Sequence, residues 1–443
     1  MRKLHCVFLG GIASVCFMSA ALTVTAQEAQ PIIPRGPHAA AMEDYQDNLL
    51  KTLQSSDESQ TPYGGIDSTV LNAYIPADNA TTPARVALGR KLYFDVRLSR
   101  DNTVSCSTCH DVTRGFCDQR PTSEGIDGQM GTRNAPTVMN IGLLSTMFWD
   151  GRSPSIEHQA MQPIINPIEM GVENKEDVII SKIKDDPEYI KMFQDAYGAE
   201  VNYKNIGDAL AAFERTLVFM DSPAMRYLKG DQNAISDKAK KGWELFNGKA
   251  RCMTCHPISV SQPVGSDSKF HNIGIAAKKQ NFEQLATEAR QILQEDNSFE
   301  KIEHLALNSQ YGELGRALIT GHRADLGAFR TPILLNVAIT RPYMHDGSLS
   351  TLWDVVDHYN KGGEPNLYLD GGIEPLNLTD DEVDQLVEFL FTLTDVRFKA
   401  DNDKTYLFQK NLSEKKRKNK DEEVADRSVL QYERRLSPQK RNR

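Results

Sequence analysis

Apolar residues recur three and four positions apart in several stretches of the chain, and these stretches alternate with long segments that hold no period. Ile206, Leu210, Phe213 and Leu217 mark one amphipathic helix. Val383, Leu386, Val387 and Leu390 mark another, opened by Thr379 and Glu382 at the spacing of a capping box. Phe282, Leu285, Ala289, Ile292 and Leu293 predict an inserted helix pair of mixed charge over 281–305. Two further helices carry Gly-x-x-Leu-aromatic, as Gly89-Arg90-Lys91-Leu92-Tyr93 and as Gly242-Trp243-Glu244-Leu245-Phe246. From Asp118 to Asn140, by contrast, Pro121, Gly125, Gly128, Gly131 and Pro136 predict irregular backbone. The pattern is that of a mostly α protein with long loops.

The two ends differ from the body. Arg2 and Lys3 precede an apolar run from Val7 to Leu22 and a small-residue stretch ending at Ala26, which predicts a secretory signal peptide over 1–26. No other stretch approaches the ~20 apolar residues that span a bilayer, so no transmembrane anchor is expected after cleavage and the protein is expected in the periplasm. Residues 27–80 form a polar extension with Pro31, Pro34 and Pro37. Residues 399–443 are rich in charge, including Lys415-Lys416-Arg417-Lys418, and predict a disordered tail. Net charge is -9, which argues against nucleic acid as a partner.

Seven cysteines in an exported chain suggest disulfides, but their positions point elsewhere. Cys6 and Cys16 leave with the signal peptide. Four of the rest fall in Cys106-Ser107-Thr108-Cys109-His110 and Cys252-Met253-Thr254-Cys255-His256. Cys-x-x-Cys-His is the attachment signature of haem c: two thiols at i and i+3 reach the two vinyl groups of one porphyrin, and the next histidine offers its imidazole to the iron. Composition alone yields on the order of 10⁻³ chance matches, and two are present. A redox dithiol or half a zinc site leaves the two following histidines unexplained. Two covalently bound haems c are expected. Cys117 is left over and is read as a buried thiol.

Each haem motif follows a Gly-x-x-Leu-aromatic helix and precedes an amphipathic closing helix, the order of a small cytochrome c domain used twice. The expected architecture is therefore two cytochrome c-type haem domains packed around a shared interface: an N-terminal domain over 81–230 and a C-terminal one over 231–398.

Several separate stretches sharpen this reading: Leu88-Gly89-Arg90-Lys91-Leu92-Tyr93-Phe94, Phe148-Trp149-Asp150-Gly151-Arg152, Asn166-Pro167-Ile168-Glu169-Met170 and Arg341-Pro342-Tyr343-Met344-His345-Asp346-Gly347. Over about residues 84–395 the chain resembles the bacterial di-haem cytochrome c peroxidases and their relatives of the MauG type. The resemblance implies that hydrogen peroxide reacts at the N-terminal haem, with His110 as proximal ligand and Glu169 as the acid–base group on the distal face. Gln159 and Pro163 match the other distal positions. Trp149 matches a tryptophan that carries electrons between the haems. A calcium ion between the domains would be bound by the Asn134 side chain and the carbonyls of Thr340 and Pro342, with waters completing its oxygen shell.

Two positions separate the branches of the family. Its reductively activated members carry a histidine sixteen residues after the proximal one, which blocks the peroxide haem at rest. Here that position is Ile126, which cannot bind iron, so the first haem is expected to stay open. The distal ligand of the second haem is methionine in those members and tyrosine in the MauG type, and the matching residue here is Tyr359. Met344 and His358 are the nearest rival ligands. Tyrosinate favours the higher oxidation states of iron. The implied enzyme is a MauG-like peroxidase. Its electrons would come from a small donor protein, a cytochrome c or cupredoxin, or from a protein substrate oxidised at the surface. A di-haem electron-transfer cytochrome, or a redox sensor whose basic tail recruits a partner, are the alternatives.

Overall fold

The computed structural model describes residues 37–55, 72–172, 177–278 and 281–436. The signal peptide expected over 1–26 and the start of the polar extension lie outside them. The fold is mostly helical, and among the described residues one two-residue antiparallel ladder pairs β1 (Phe270–His271) with β2 (Phe329–Arg330).

The N-terminal half is built on α2 (Pro83–Tyr93), crossed by α5 (Tyr203–Glu214). Thr82 caps α2 by accepting from Arg85 N–H, with Pro83 in the first turn where its missing N–H costs nothing. Asn202 caps α5 in the same way through Asn205 N–H. Gly89 lets the two helices touch: a Cβ there would lie 1.8 Å from the Ala209 carbonyl oxygen and 2.8 Å from Phe213 Cβ. The aromatic of the motif, Tyr93, then meets Phe213 edge to face at 5.2 Å. α1 (Pro37–Ser55), from the polar extension, is tied to this half through Leu50 and Leu53 in its core. Gln46 Oε1 also accepts the Val112 N–H at 3.0 Å. α3 (Ile156–Ile165) and α4 (Pro187–Tyr197) complete the layer.

The C-terminal half repeats the device with α6 (Asp237–Asn247) and α10 (Asp380–Phe391). A Cβ at Gly242 would lie 2.0 Å from the Gln385 carbonyl oxygen and 2.8 Å from Phe389 Cβ. Phe246 packs on Phe389 at 5.3 Å. The capping box opening α10 is formed as the spacing predicts, with Thr379 accepting from Glu382 N–H and the Glu382 carboxylate from Thr379 N–H. The two Gly-x-x-Leu-aromatic motifs thus perform one task, spacing a first helix against a last helix at backbone contact.

The helix pair expected near 281–305 is present as α7 (Phe282–Glu295) and α8 (Phe299–Leu307). It covers a third small core with Leu314, Leu318 and Leu326.

The tail corrects an expectation. Residues 399–436 are helical (α11), not disordered, and α11 is docked through its first half. Gln409 is fully buried: its Oε1 accepts the Leu352 N–H at 2.7 Å, and its Nε2 donates to Ala338 O at 3.0 Å and to the Tyr343 hydroxyl at 2.9 Å. A charged composition signals disorder because it offers little apolar area to bury. Here the Gln409 amide wedged into the C-terminal half, Tyr406 packed on Trp353 and Phe391, and the Lys416–Asp354 pair hold it. Among the described residues no helix is long and apolar enough to cross a membrane.

Candidate functional site

Both Cys-x-x-Cys-His motifs fold as a tight helical turn that ends on the histidine. In the first, Cys106–Cys109 is one turn with a capping box between Ser105 and Thr108. The His110 ring points its Nδ1 at Phe116 O, 3.4 Å away, and burial lowers its basicity, so the imidazole is neutral. A proton held on Nδ1 by a carbonyl leaves the Nε2 lone pair for a metal. His256 repeats the arrangement, with Nδ1 donating to Gly265 O at 2.7 Å and burial again lowering its basicity.

The second motif opens onto a cavity of about 470 Å³ whose lining includes Cys252, Cys255, His256 and Tyr359. Two thiols, a neutral histidine and a largely apolar wall are the donor set and solvent a haem c requires, and the volume lies within the ordinary range of cofactor sites. Tyr359 sits at the end of α9 (Leu352–Asn360), and burial holds its phenol well above the usual range. Of its rivals, His358 commits Nε2 to Ile273 O at 2.9 Å, while Met344 does line the cavity. Trp149, Asn134, Thr340 and Pro342 line the same space. Trp149 is fixed at both ends: its indole N–H donates to Asn134 O at 2.9 Å and its carbonyl accepts the Arg330 N–H at 2.7 Å.

Glu169, Gln159 and Pro163 gather separately. Gln159 and Pro163 are one turn apart on α3. The chain then doubles back, with Met170 N–H donating to Pro163 O at 3.2 Å and Val172 N–H to Ile164 O at 3.0 Å, which sets Glu169 beside the end of that helix. Ile126 packs beside this turn from the loop: its side chain is fully buried, and its N–H donates to Ile168 O at 3.0 Å and Glu169 O at 2.9 Å. Gly125 is required for this approach, since a Cβ there would lie 1.8 Å from Ile168 O. Burial pushes the Glu169 carboxyl up to about 7, against the pull of Arg152 and with the help of Glu303.

Arg152 and Glu303 were not legible as site residues. Arg152 lies 3.5 Å over the Phe148 ring, 3.0 Å from Asp150 and 3.8 Å from Glu303 on α8. Its signal was its place in the Phe148–Arg152 stretch; Glu303 had none. Nor was His271, which bridges Asp267 at 3.1 Å and Asp370 at 2.7 Å. The free Cys255 thiol and those two carboxylates raise its basicity, and with the sulfur in a thioether the carboxylates are what remains to hold the imidazolium. Cys255, Asp267 and His271 lie close enough to hold a metal, but haem attachment converts that thiol to a thioether. Cys117 is buried and its thiol is pushed up to about 12 by that burial, an inert state.

A family model described as di-haem cytochrome c peroxidase matches residues 83–233. Methylamine utilization protein MauG of Methylorubrum extorquens is 36% identical over 320 residues, which cover 72% of this chain and 80% of that protein. Cytochrome c peroxidase Ccp of Escherichia coli is 36% identical over 325 residues, 73% of this chain and 60% of that protein. Among solved structures, a MauG-like protein associated with microbial copper homeostasis is 31% identical with a TM-score of 0.61, covering 73% of this chain and 92% of that one. The di-haem peroxidase BthA of Burkholderia thailandensis shares the fold, with a TM-score of 0.57 at 23% identity over 72% of this chain and 88% of that one.

Proposed function

Because the chain belongs to the di-haem cytochrome c peroxidase family, oxidoreductases with two c-type haems, we propose that it reduces hydrogen peroxide at the haem carried by Cys106, Cys109 and His110. That haem would supply a ferric iron that binds peroxide and accepts its oxidising equivalents. His110 would hold the iron through Nε2, while backbone carbonyls fix its other nitrogen. On the distal side Glu169 takes the proton of incoming peroxide as a carboxylate and returns it to the departing oxygen as an acid. A group that titrates near 7 is suited to both transfers. Gln159 and Pro163 border the same space.

Cys252, Cys255 and His256 would hold the second haem, with Tyr359 as its distal ligand. Trp149, pinned at its indole and its carbonyl, relays electrons between the two sites. The Asn134 side chain and the carbonyls of Thr340 and Pro342 bind calcium beside it, and metal analysis of the purified holoprotein at one Ca²⁺ per chain reads this out. The chain is exported through residues 1–26. Each peroxide consumes two electrons and two protons to give two waters, and the electrons come from a small redox protein or from side chains of a protein substrate.

The reading is supported by a carboxyl poised near neutrality whose backbone carbonyl accepts the N–H of Ile126, a residue that cannot bind iron. Stopped-flow absorbance of the fully ferric protein tests it. Peroxide alone is expected to change the Soret band rapidly, without any reductant. Ile126→His is expected to suppress that change until one haem is reduced. A wild-type protein inert to peroxide in both oxidation states would refute the proposal.

A further inference from the structure

Two aromatic side chains lead toward the surface from α9, the helix whose other residues line the second haem cavity. Leu352, Val355 and Val356, in the first turns of α9, line that cavity, and Trp353 on the same turns is 5% exposed. The Trp353 ring lies 6.0 Å from the ring of Tyr406, a half-buried residue on α11. Phe391 of α10 fills the corner, 6.2 Å from Trp353 and 4.9 Å from Tyr406.

Each polar aromatic also has a proton acceptor. Trp353 Nε1–H donates to Asp384 Oδ1 at 2.7 Å, and the Tyr406 hydroxyl donates to Glu388 Oε2 at 3.2 Å. Asp384 and Glu388 are one turn apart on α10, so a single helix face serves both rings. A buried indole seeks a partner for packing reasons alone. Two oxidisable rings in sequence, each on a carboxylate within proton-transfer reach and one of them near solvent, exceed what packing asks.

We propose that Trp353 and Tyr406 form a relay through which the second haem draws electrons from an external one-electron donor at the surface of α11. The inference rests on the peroxidase reading above, which supplies the oxidant. After peroxide has oxidised the haems, Trp353 passes one electron inward. Tyr406 then passes one electron to Trp353 and its phenolic proton to Glu388. The donor's electron, with the proton returned from Glu388, restores Tyr406. Two such passages deliver the two electrons that one peroxide requires. Two short transfers replace one long one, and the rate of electron transfer falls steeply with distance.

Rapid freeze-quench EPR of the ferric holoprotein mixed with hydrogen peroxide, without donor, tests the relay. A tyrosyl radical is expected, narrowed when the protein carries ring-deuterated tyrosine and absent in Tyr406→Phe. In that variant the peroxide-oxidised haem absorbance is expected to decay about tenfold more slowly. Trp353→Phe, checked for full haem content, is expected to lose the Tyr406 radical although Tyr406 is intact. Glu388→Gln keeps the ring in place and is expected to slow decay, with an enlarged effect in D₂O. An unchanged radical and decay in Tyr406→Phe would overturn the relay while leaving the peroxidase reading intact. A wild-type protein whose spectrum does not respond to peroxide would overturn both.

Discussion

Glu169→Gln is expected to slow the reaction of the ferric protein with hydrogen peroxide by about 10²–10⁴-fold, the usual contribution of a positioned acid–base group. The glutamine keeps the shape of the side chain and its amide can still hydrogen-bond, but it cannot accept a proton. The pH dependence separates this from a packing defect. In the wild type the carboxyl titrates at about 7. The reactive carboxylate is therefore the minority form well below that pH, and the rate is expected to rise as pH increases through it. In Glu169→Gln that rise is expected to vanish, leaving a low, flat profile. Stopped-flow rate constants from pH 5 to 9 would show it. A variant that stays fast, or stays slow with the same inflection, would assign the proton transfer to another group.

Gly242→Ala is expected to lower stability by about 3 kcal/mol, at the upper end of overpacking costs. The added methyl would sit 2.0 Å from the Gln385 carbonyl oxygen, a backbone atom inside α10 that cannot swing away without breaking the helix. The helices must separate instead, which loosens the contacts of Trp243 and Phe246 with Phe389, now 5.2 and 5.3 Å between ring centres. Gly89→Ala should do the same to the N-terminal half, where the Ala209 carbonyl would be 1.8 Å away. Gly371→Ala, with nothing within 4 Å, is the control. Thermal unfolding of the holoproteins reads the difference. An unchanged melting point in Gly242→Ala would show that the crossing is not the tight contact described.

Those two glycines also mark how far the chain could be read in one dimension. The 3–4 spacing of Ile206, Leu210 and Phe213 and the Thr379–Glu382 cap act through neighbours a few residues away, whereas the task of each glycine is set by a distant partner, Ala209 or Gln385. Helix propensity and capping are local, so they are written in consecutive letters. The Cys-x-x-Cys-His motifs are legible for the same reason, since one porphyrin spans their two thiols and the next histidine. The Asn166–Met170 stretch pointed to Glu169 by resemblance. Its raised pKa depends on burial and on charges far away in the chain, which no local pattern records.

The tail shows the limit from the other side. Its charged composition predicts disorder, yet one residue, Gln409, finds three partners between Ala338 and Leu352 and docks a helix. Glu303 reaches Arg152 across some 150 positions, His271 reaches Asp370 across 99, and Trp353 reaches Tyr406 only because α9, α10 and α11 pack together. The sequence by itself determined the helices, their caps and the two Cys-x-x-Cys-His motifs, because each depends on residues adjacent along the chain. Only the tertiary structure decided the charge around Glu169, the docking of α11 and the aromatic path to the surface. Burial and electrostatic coupling act through space between groups whose separation in sequence carries no information about their distance.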